Sequence, residues 1–129
     1  MPANVVVIGS LNMDLVTRAP RLPRGGETLI GHSFATVSGG KGANQAVAAA
    51  RLGAKVAMIG CVGNDDYGVR LRDALLAEHI DCEAVSVVED SSGVALIVVD
   101  DNSQNAIVIV AGANGAMTPA VIERFDAVL

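Results

Sequence analysis

The spacing of apolar side chains changes period several times along this chain, and each change marks an element. Asn4 to Ser10 is an unbroken β-branched run closed by Gly9, the pattern of a short strand buried on both faces of a parallel sheet. From Ala43 the period becomes helical. Ala43, Ala46, Val47 and Ala50 form an i, i+3, i+4, i+7 stripe, and Gly53 supplies the stop after Leu52. Ala54 to Gly63 then reads as a second buried strand, so the two strands should lie parallel across a right-handed crossover. Between the first strand and the helix, Pro20, Pro23, Gly25 and Gly26 break any helical reading. Leu15–Arg18 and Thr28–Thr36 alternate instead, as strands of a small flap.

A second helix is expected after Asn64. Asp65 or Asp66 is placed to cap it, and Val69, Leu75, Leu76 and Ile80 supply a buried stripe. Cys82–Val88 reads as a strand. Two apolar runs joined by Asp100–Asn105 predict a hairpin between Gly93 and Asn114. Met117–Leu129 reads as a helix capped by Thr118, with Pro119 at its first position. Alternating strands and helices with an antiparallel insertion define an α/β class, and 129 residues suit one domain.

Composition narrows the possible partners. A net charge of −5 argues against a nucleic-acid or anionic-membrane partner, and 2% aromatic content is too little for a base-stacking platform. The N-terminus lacks a signal-peptide pattern and no apolar run approaches membrane-spanning length, so a reducing cytoplasm is the expected setting. Cys61 and Cys82 stand alone, without metal-ligand spacing, and read as small buried hydrophobes.

Several nucleotide motifs are absent. Gly42, not Ser or Thr, follows Lys41, so there is no Walker A loop, and Gly9 is followed by polar residues where a dinucleotide fingerprint needs more glycine. His32 and His79 show no chemical partners. What stands out is a polar set at strand and helix ends. Asn12 and Asp14 follow the first strand, where open α/β sheets bind ligands, and an extended backbone would project both side chains the same way. A carboxylate accepts hydroxyl hydrogen bonds and an amide both donates and accepts, which suits a vicinal diol. Gly39, Gly40 and Gly42 surround Lys41 at the mouth of the first helix, and Asn44 lies three residues on, on the same side. The alternatives are structural: turn roles for Asn12 and Asp14, a capping role for Asn44, a cap at Asp66, and plain flap surface for Glu27.

The stretches "VVVIGSLNMDLV", "LPRGGETLIG" and "SGGKGANQAVAAARLGAKVAMIGCVGNDDYG" resemble the N-terminal half of the PfkB-type carbohydrate kinases in their ribokinase-like form, and "SSGVALIVVD" and "VAGANGAMTP" follow in order. The resemblance implies a mostly parallel sheet flanked by helices, with an inserted antiparallel β lid at about residues 15–37 and 93–111. It carries sugar contacts onto Asn12, Asp14, Gly40, Lys41 and Asn44. It also implies transfer of the γ-phosphate of ATP to the 5-hydroxyl of D-ribose, with Mg2+ and a monovalent cation such as K+, and a homodimer paired through the lids. The general base, its Gly-Ala-Gly-Asp anion hole and most of the ATP pocket would lie beyond Leu129, so the fold is expected to be incomplete at its C-terminus. Two other readings stay open: a non-catalytic sugar-binding or dimerisation module, and a kinase for another sugar or a nucleoside, the last disfavoured by the scarcity of aromatics.

Overall fold

The computed structural model describes residues 4–125. In chain order they form β1 (Val5–Ile8), β2 (Asn12–Arg18), β3 (Ser33–Gly39), α1 (Lys41–Arg51), β4 (Val56–Gly63), α2 (Asp66–Ala77), β5 (Val85–Val88), β6 (Gly93–Val99), β7 (Asn105–Val110), a 3-10 turn (Gly112–Ala116) and α3 (Pro119–Glu123). Two sheets result. The first is parallel, in the order β1-β4-β5, with Val5 opposite Val56 and Gly60 opposite Val85. The second is mixed, in the order β3-β2-β6-β7. There β2 runs antiparallel to β3 and parallel to β6, and β7 returns antiparallel to β6.

The central strand β4 is buried at every position, as its unbroken apolar run requires. Helices α1 and α2 pack on it, α1 through Gly42, Ala43 and Ala46 and α2 through Gly68, Leu71 and Leu75. Small residues on α1 bring its axis close to the sheet, which suits the alanine-rich composition. Met58, Ile59 and Val62 are fully buried, and truncating such side chains to alanine costs about 2–5 kcal/mol for the larger ones. Cys61 and Cys82 are free thiols inside this core, and burial raises the pKa of both.

Several boundaries differ from the sequence reading, each for a local reason. Helix α1 begins at Lys41, two residues early, because Gly40 takes the capping position. Strand β2 begins at Asn12, so Asn12 and Asp14 are sheet residues and not a turn after the first strand. Thr28–Gly31 is loop, and β3 starts at Ser33. Of the stripe expected on α2 and just after it, Leu75 and Ile80 are buried as read, but Val69 and Leu76 are exposed and Leu71 faces the core in their place. Positions 69 and 76 lie seven apart and share the solvent face. Strand β5 is shorter than Cys82–Val88, since residues 82–84 make a turn. Helix α3 keeps its Thr118 cap and N-terminal Pro119 but covers only five residues, and residues 126–129 lie outside the described residues. His32 does meet a partner, Asp101, at 3.1 Å.

One polar knot ties the two sheets together. Asp65, not Asp66, caps α2 and accepts from the Gly68 N–H at 2.8 Å. The same carboxylate accepts from the backbone N–H and the hydroxyl of Ser92, at 2.8 and 2.7 Å, while the Ser92 oxygen accepts from the Gly63 N–H at 2.9 Å. Burial pushes the Asp65 pKa up, but the bonds from Ser92 and Gly68 outweigh it and hold it below the ordinary carboxylate value. Its stabilising contribution is therefore present above the unfolded-state pKa and is lost as pH falls through the depressed folded value.

Replacing Asp65 by Ala removes a cap and strands the donors of the buried Ser92, so a loss of about 2–3 kcal/mol is expected. Asp66→Ala should cost less than about 0.5 kcal/mol. Urea unfolding of the two variants measures the difference, and equal stabilities would show that the knot does not hold α2.

Candidate functional site

The site is built where β1 hands the chain to the second sheet. After Ile8 the chain passes through Gly9, Ser10 and Leu11, and Leu11 is completely buried. Strand β2 then opens with Asn12. Because side chains alternate along a strand, Met13 goes into the core, fully buried, and leaves Asn12 and Asp14 together on the other face. Both are half-buried.

Their neighbours are small. Asn12 lies opposite Gly39 on β3 and Gly93 on β6, and Asp14 lies opposite Val37 and Ala95. A side chain at Gly39 would begin 2.7 Å from Asp14 Oδ2. One at Gly93 would overlap both Asn12 Oδ1 and Asn114 Nδ2. The two polar side chains thus stand in a trough walled by glycine.

Helix α1 closes one end of that trough. Gly40 has φ 99°, a conformation that side chains disfavour, and a Cβ there would sit 2.7 Å from the Ser10 carbonyl oxygen and 2.9 Å from the Asn12 nitrogen. The Ser10 carbonyl in turn accepts from the Ala43 N–H at 3.0 Å, satisfying one of the free amides of the helix start. Lys41 is the first helical residue and is exposed; the first turn holds no acidic residue to offset it. Asn44, one turn on, is exposed and has no capping role, since the cap is Gly40.

The structure therefore gathers Asn12, Asp14, Gly40 and Lys41 around the β1–β2 junction, with Asn44 one turn up α1. A separate cleft of about 530 Å³ runs between α1 and α2. It touches Gly39 and Asn44 and is floored by Val47, Leu71 and Leu75, but none of Asn12, Asp14 or Lys41 lines it. Ser38, Asn44, Arg51 and Glu78 give this cleft polar groups of its own.

Asp14 accepts no hydrogen bond from any of the described residues, and burial raises its pKa above the ordinary carboxylate value. The half-buried carboxylate is thus open to donors from solvent or from a ligand. Asn12 is different, for its Oδ1 accepts from Asn114 Nδ2 at 2.8 Å. Asn114 also accepts from the Leu11 N–H and donates to the Leu11 carbonyl, both at 3.0 Å. Sequence reading gave Asn114 no role. It lies more than a hundred residues from Leu11, so no spacing rule connects them; the only signal was its place in the "AGAN" segment. Glu27 lies in the loop between β2 and β3, paired with Arg21 at 2.6 Å. Hydrogen bonds from the Arg21 side chain and the Arg24 N–H lower its pKa to about 2.

An α/β core thus bears a second, mixed sheet, with a carboxylate and an amide at their junction and a lysine at the adjacent helix mouth. Residues 2–128 match the pfkB family carbohydrate kinase, and the chain belongs to that family. It is 48% identical over 134 residues to the ribokinase of Bacillus subtilis, a match that covers 98% of this chain and 45% of that protein. It is 44% identical over 122 residues to the deoxyribokinase of Salmonella typhi, covering 94% of this chain and 40% of that protein. Among solved structures, Arabidopsis thaliana ribokinase complexed with ribose and ATP superposes with a TM-score of 0.83 at 34% identity, over 95% of this chain and 42% of that one. The chain thus spans less than half the length of the relatives it matches.

The raised Asp14 pKa has a consequence for stability. The folded state holds the proton more tightly than the unfolded chain, so stability falls as pH rises through the interval between the two pKa values, and the full cost stands at neutral pH. Asp14→Asn is therefore expected to raise Tm at neutral pH and to give no such gain below the ordinary value of 3.8. A Tm that falls at neutral pH would show that the carboxylate is held by donors within the fold.

Proposed function

We propose that this chain is the sugar-binding part of an ATP-dependent kinase that phosphorylates D-ribose at its 5-hydroxyl to give ribose 5-phosphate. The observation that carries this reading is the partnerless carboxylate of Asp14 beside Asn12 in the glycine-walled trough. Similarity to ribokinases, one of them solved with ribose and ATP, names the sugar and the phosphate donor. Asp14 accepts hydrogen bonds from two adjacent sugar hydroxyls, Asn12 and Asn44 add amide contacts, and Lys41 donates to a sugar oxygen. Gly40 lets the backbone approach the sugar where any side chain would intrude. These groups bind and orient, and transfer is largely a matter of positioning and charge stabilisation about the phosphoryl group.

The described residues include no cluster of three or more His, Cys, Asp and Glu side chains able to hold a metal. By resemblance to the family, Mg2+, K+, most of the ATP contacts and the general base are assigned to the part of the kinase that the relatives have beyond this segment. Residues 1–129 are then the N-terminal part of one ribokinase-like domain, with the mixed sheet as a lid over the sugar. That lid carries exposed Phe34, Val37, Leu96 and the whole β7 run Ile107–Val110, an apolar area that suits pairing of two lids in a homodimer. The two buried free thiols fit a cytoplasmic enzyme, and no helix among the described residues is long and apolar enough to cross a membrane.

A second reading, transfer to 2-deoxy-D-ribose, is favoured by the 44% identity to a deoxyribokinase. Turnover of ribose and deoxyribose with ATP, Mg2+ and K+ by the protein at its full natural length decides between them. A higher kcat/KM on ribose is expected. Asp14→Ala and Lys41→Met should each lower it about 10- to 150-fold, the effect of losing a charged hydrogen bond of about 1.5–3 kcal/mol. Unchanged kcat/KM in both variants would remove the site from the reaction.

A further inference from the structure

We propose that Asn114 is a positioning residue that decides which end of the Asn12 amide faces the ligand and so makes Asn12 a hydrogen-bond donor to one sugar oxygen. The inference rests on the sugar-site reading above and concerns how that site discriminates.

The orientation of Asn114 is fixed first. Its Oδ1 accepts from the Leu11 N–H and its Nδ2 donates to the Leu11 carbonyl, each at 3.0 Å. Turning the amide over would set oxygen against oxygen and N–H against N–H, and Leu11 is fully buried, so water does not relieve the mismatch. An amide nitrogen carries two hydrogens. One is spent on Leu11, and the other points at Asn12, 2.8 Å away. The Asn12 atom that receives it must be an acceptor, which fixes it as Oδ1. The Asn12 nitrogen then faces away from Asn114, and none of the described residues accepts from it.

Bracing the β1–β2 junction needs only the two bonds to Leu11. The third bond carries information, because it converts an ambivalent amide into a committed donor. Asp14, two residues along on the same face, is a committed acceptor. Together they present donor and acceptor a strand-pair repeat apart, roughly 6.5–7 Å along β2. A ligand that satisfies both must offer an oxygen to Asn12 and hydroxyl protons to Asp14.

The surroundings hold this arrangement. Gly93 leaves room for the two amides to meet, where a Cβ would overlap both. The turn bearing Asn114 is pinned to the Asp65–Ser92 knot, since the Ala113 N–H donates to the Ser91 carbonyl at 2.7 Å. Ala113 itself is fully buried.

The test uses Asn114→Asp, nearly the same shape, in the protein at its full natural length. The aspartate still accepts from the Leu11 N–H and sets its other oxygen against the Leu11 carbonyl, a cost that Tm records. It no longer donates to Asn12, so Asn12 turns its nitrogen inward and offers its oxygen to the sugar. Dissociation constants are measured by calorimetry for D-ribose and its 1-, 2- and 3-deoxy analogues, with Tm recorded alongside. In the wild type, one analogue should bind about tenfold more weakly because it lacks the oxygen that Asn12 contacts. Asn12→Ala should abolish that penalty, Asn114→Asp should abolish the same one, and the double variant should add nothing further. A uniform loss across all four sugars, or a retained penalty, would make Asn114 a structural brace only. A wild type that binds none of them would instead reject the sugar site itself.

If the aspartate variant does not fold, the side-chain amide signals of the wild type provide the readout. Ribose should shift the Asn12 NH2 resonances and leave those of Asn114 in place. Asn12 signals that ignore ribose would overturn the proposal.

Discussion

One short link, Gly9–Ser10–Leu11, half-buried at first and fully buried at Leu11, constrains everything at the site. A buried backbone must have its hydrogen bonds answered, and here two distant segments answer them. The start of α1 takes the Ser10 carbonyl through Ala43, and Asn114 takes both polar groups of Leu11. Since the link joins the parallel sheet to the mixed one, these bonds also fix how the two sheets meet. Asn12, Asp14 and the mouth of α1 are carried into one trough by the same contacts that satisfy the link. The site is a product of backbone accounting at a sheet junction.

The glycines and Lys41 make sense in that frame. Gly40 is the point at which helix, link and β2 come closest, and its positive φ lets the chain turn from β3 directly into α1. A lysine at the first helical position is opposed by the helix dipole, at a cost of a few tenths of a kcal/mol when exposed. One hydrogen bond from its ammonium to a ligand hydroxyl contributes about 1.5–3 kcal/mol. On the proposed function, that bond outweighs the dipole and accounts for a residue that local helix rules disfavour.

The parts of this fold carried by short-range pattern were legible in the sequence. The β1–α1–β4 unit, the hairpin of β6 and β7 and the Thr118 cap follow from apolar period and turn chemistry. The candidate residues Asn12, Asp14, Gly40, Lys41 and Asn44 were likewise legible, as polar or flexible groups at element ends. What periodicity missed was decided by tertiary contacts. Asp65 rather than Asp66 caps α2 because Ser92, 27 residues away, supplies two further donors to its carboxylate. The face of α2 that meets the core is the one carrying Gly68, Leu71 and Leu75, which leaves Val69 and Leu76 to solvent. Asn114 was invisible for the same reason: its partners are defined only once the sheets have joined.

On the proposed function, Asp14, without a partner among the described residues, is the acceptor of sugar hydroxyls. Because hydroxyl donors stabilise the ionised carboxylate, bound ribose must lower a pKa that burial has raised. Calorimetric titration of D-ribose across acid to neutral pH measures that linkage directly. Affinity should rise with pH through the raised Asp14 pKa, then level off, and Asp14→Asn should lose this dependence along with most of the binding. Affinity that is independent of pH, together with equal binding by Asp14→Asn, would contradict it.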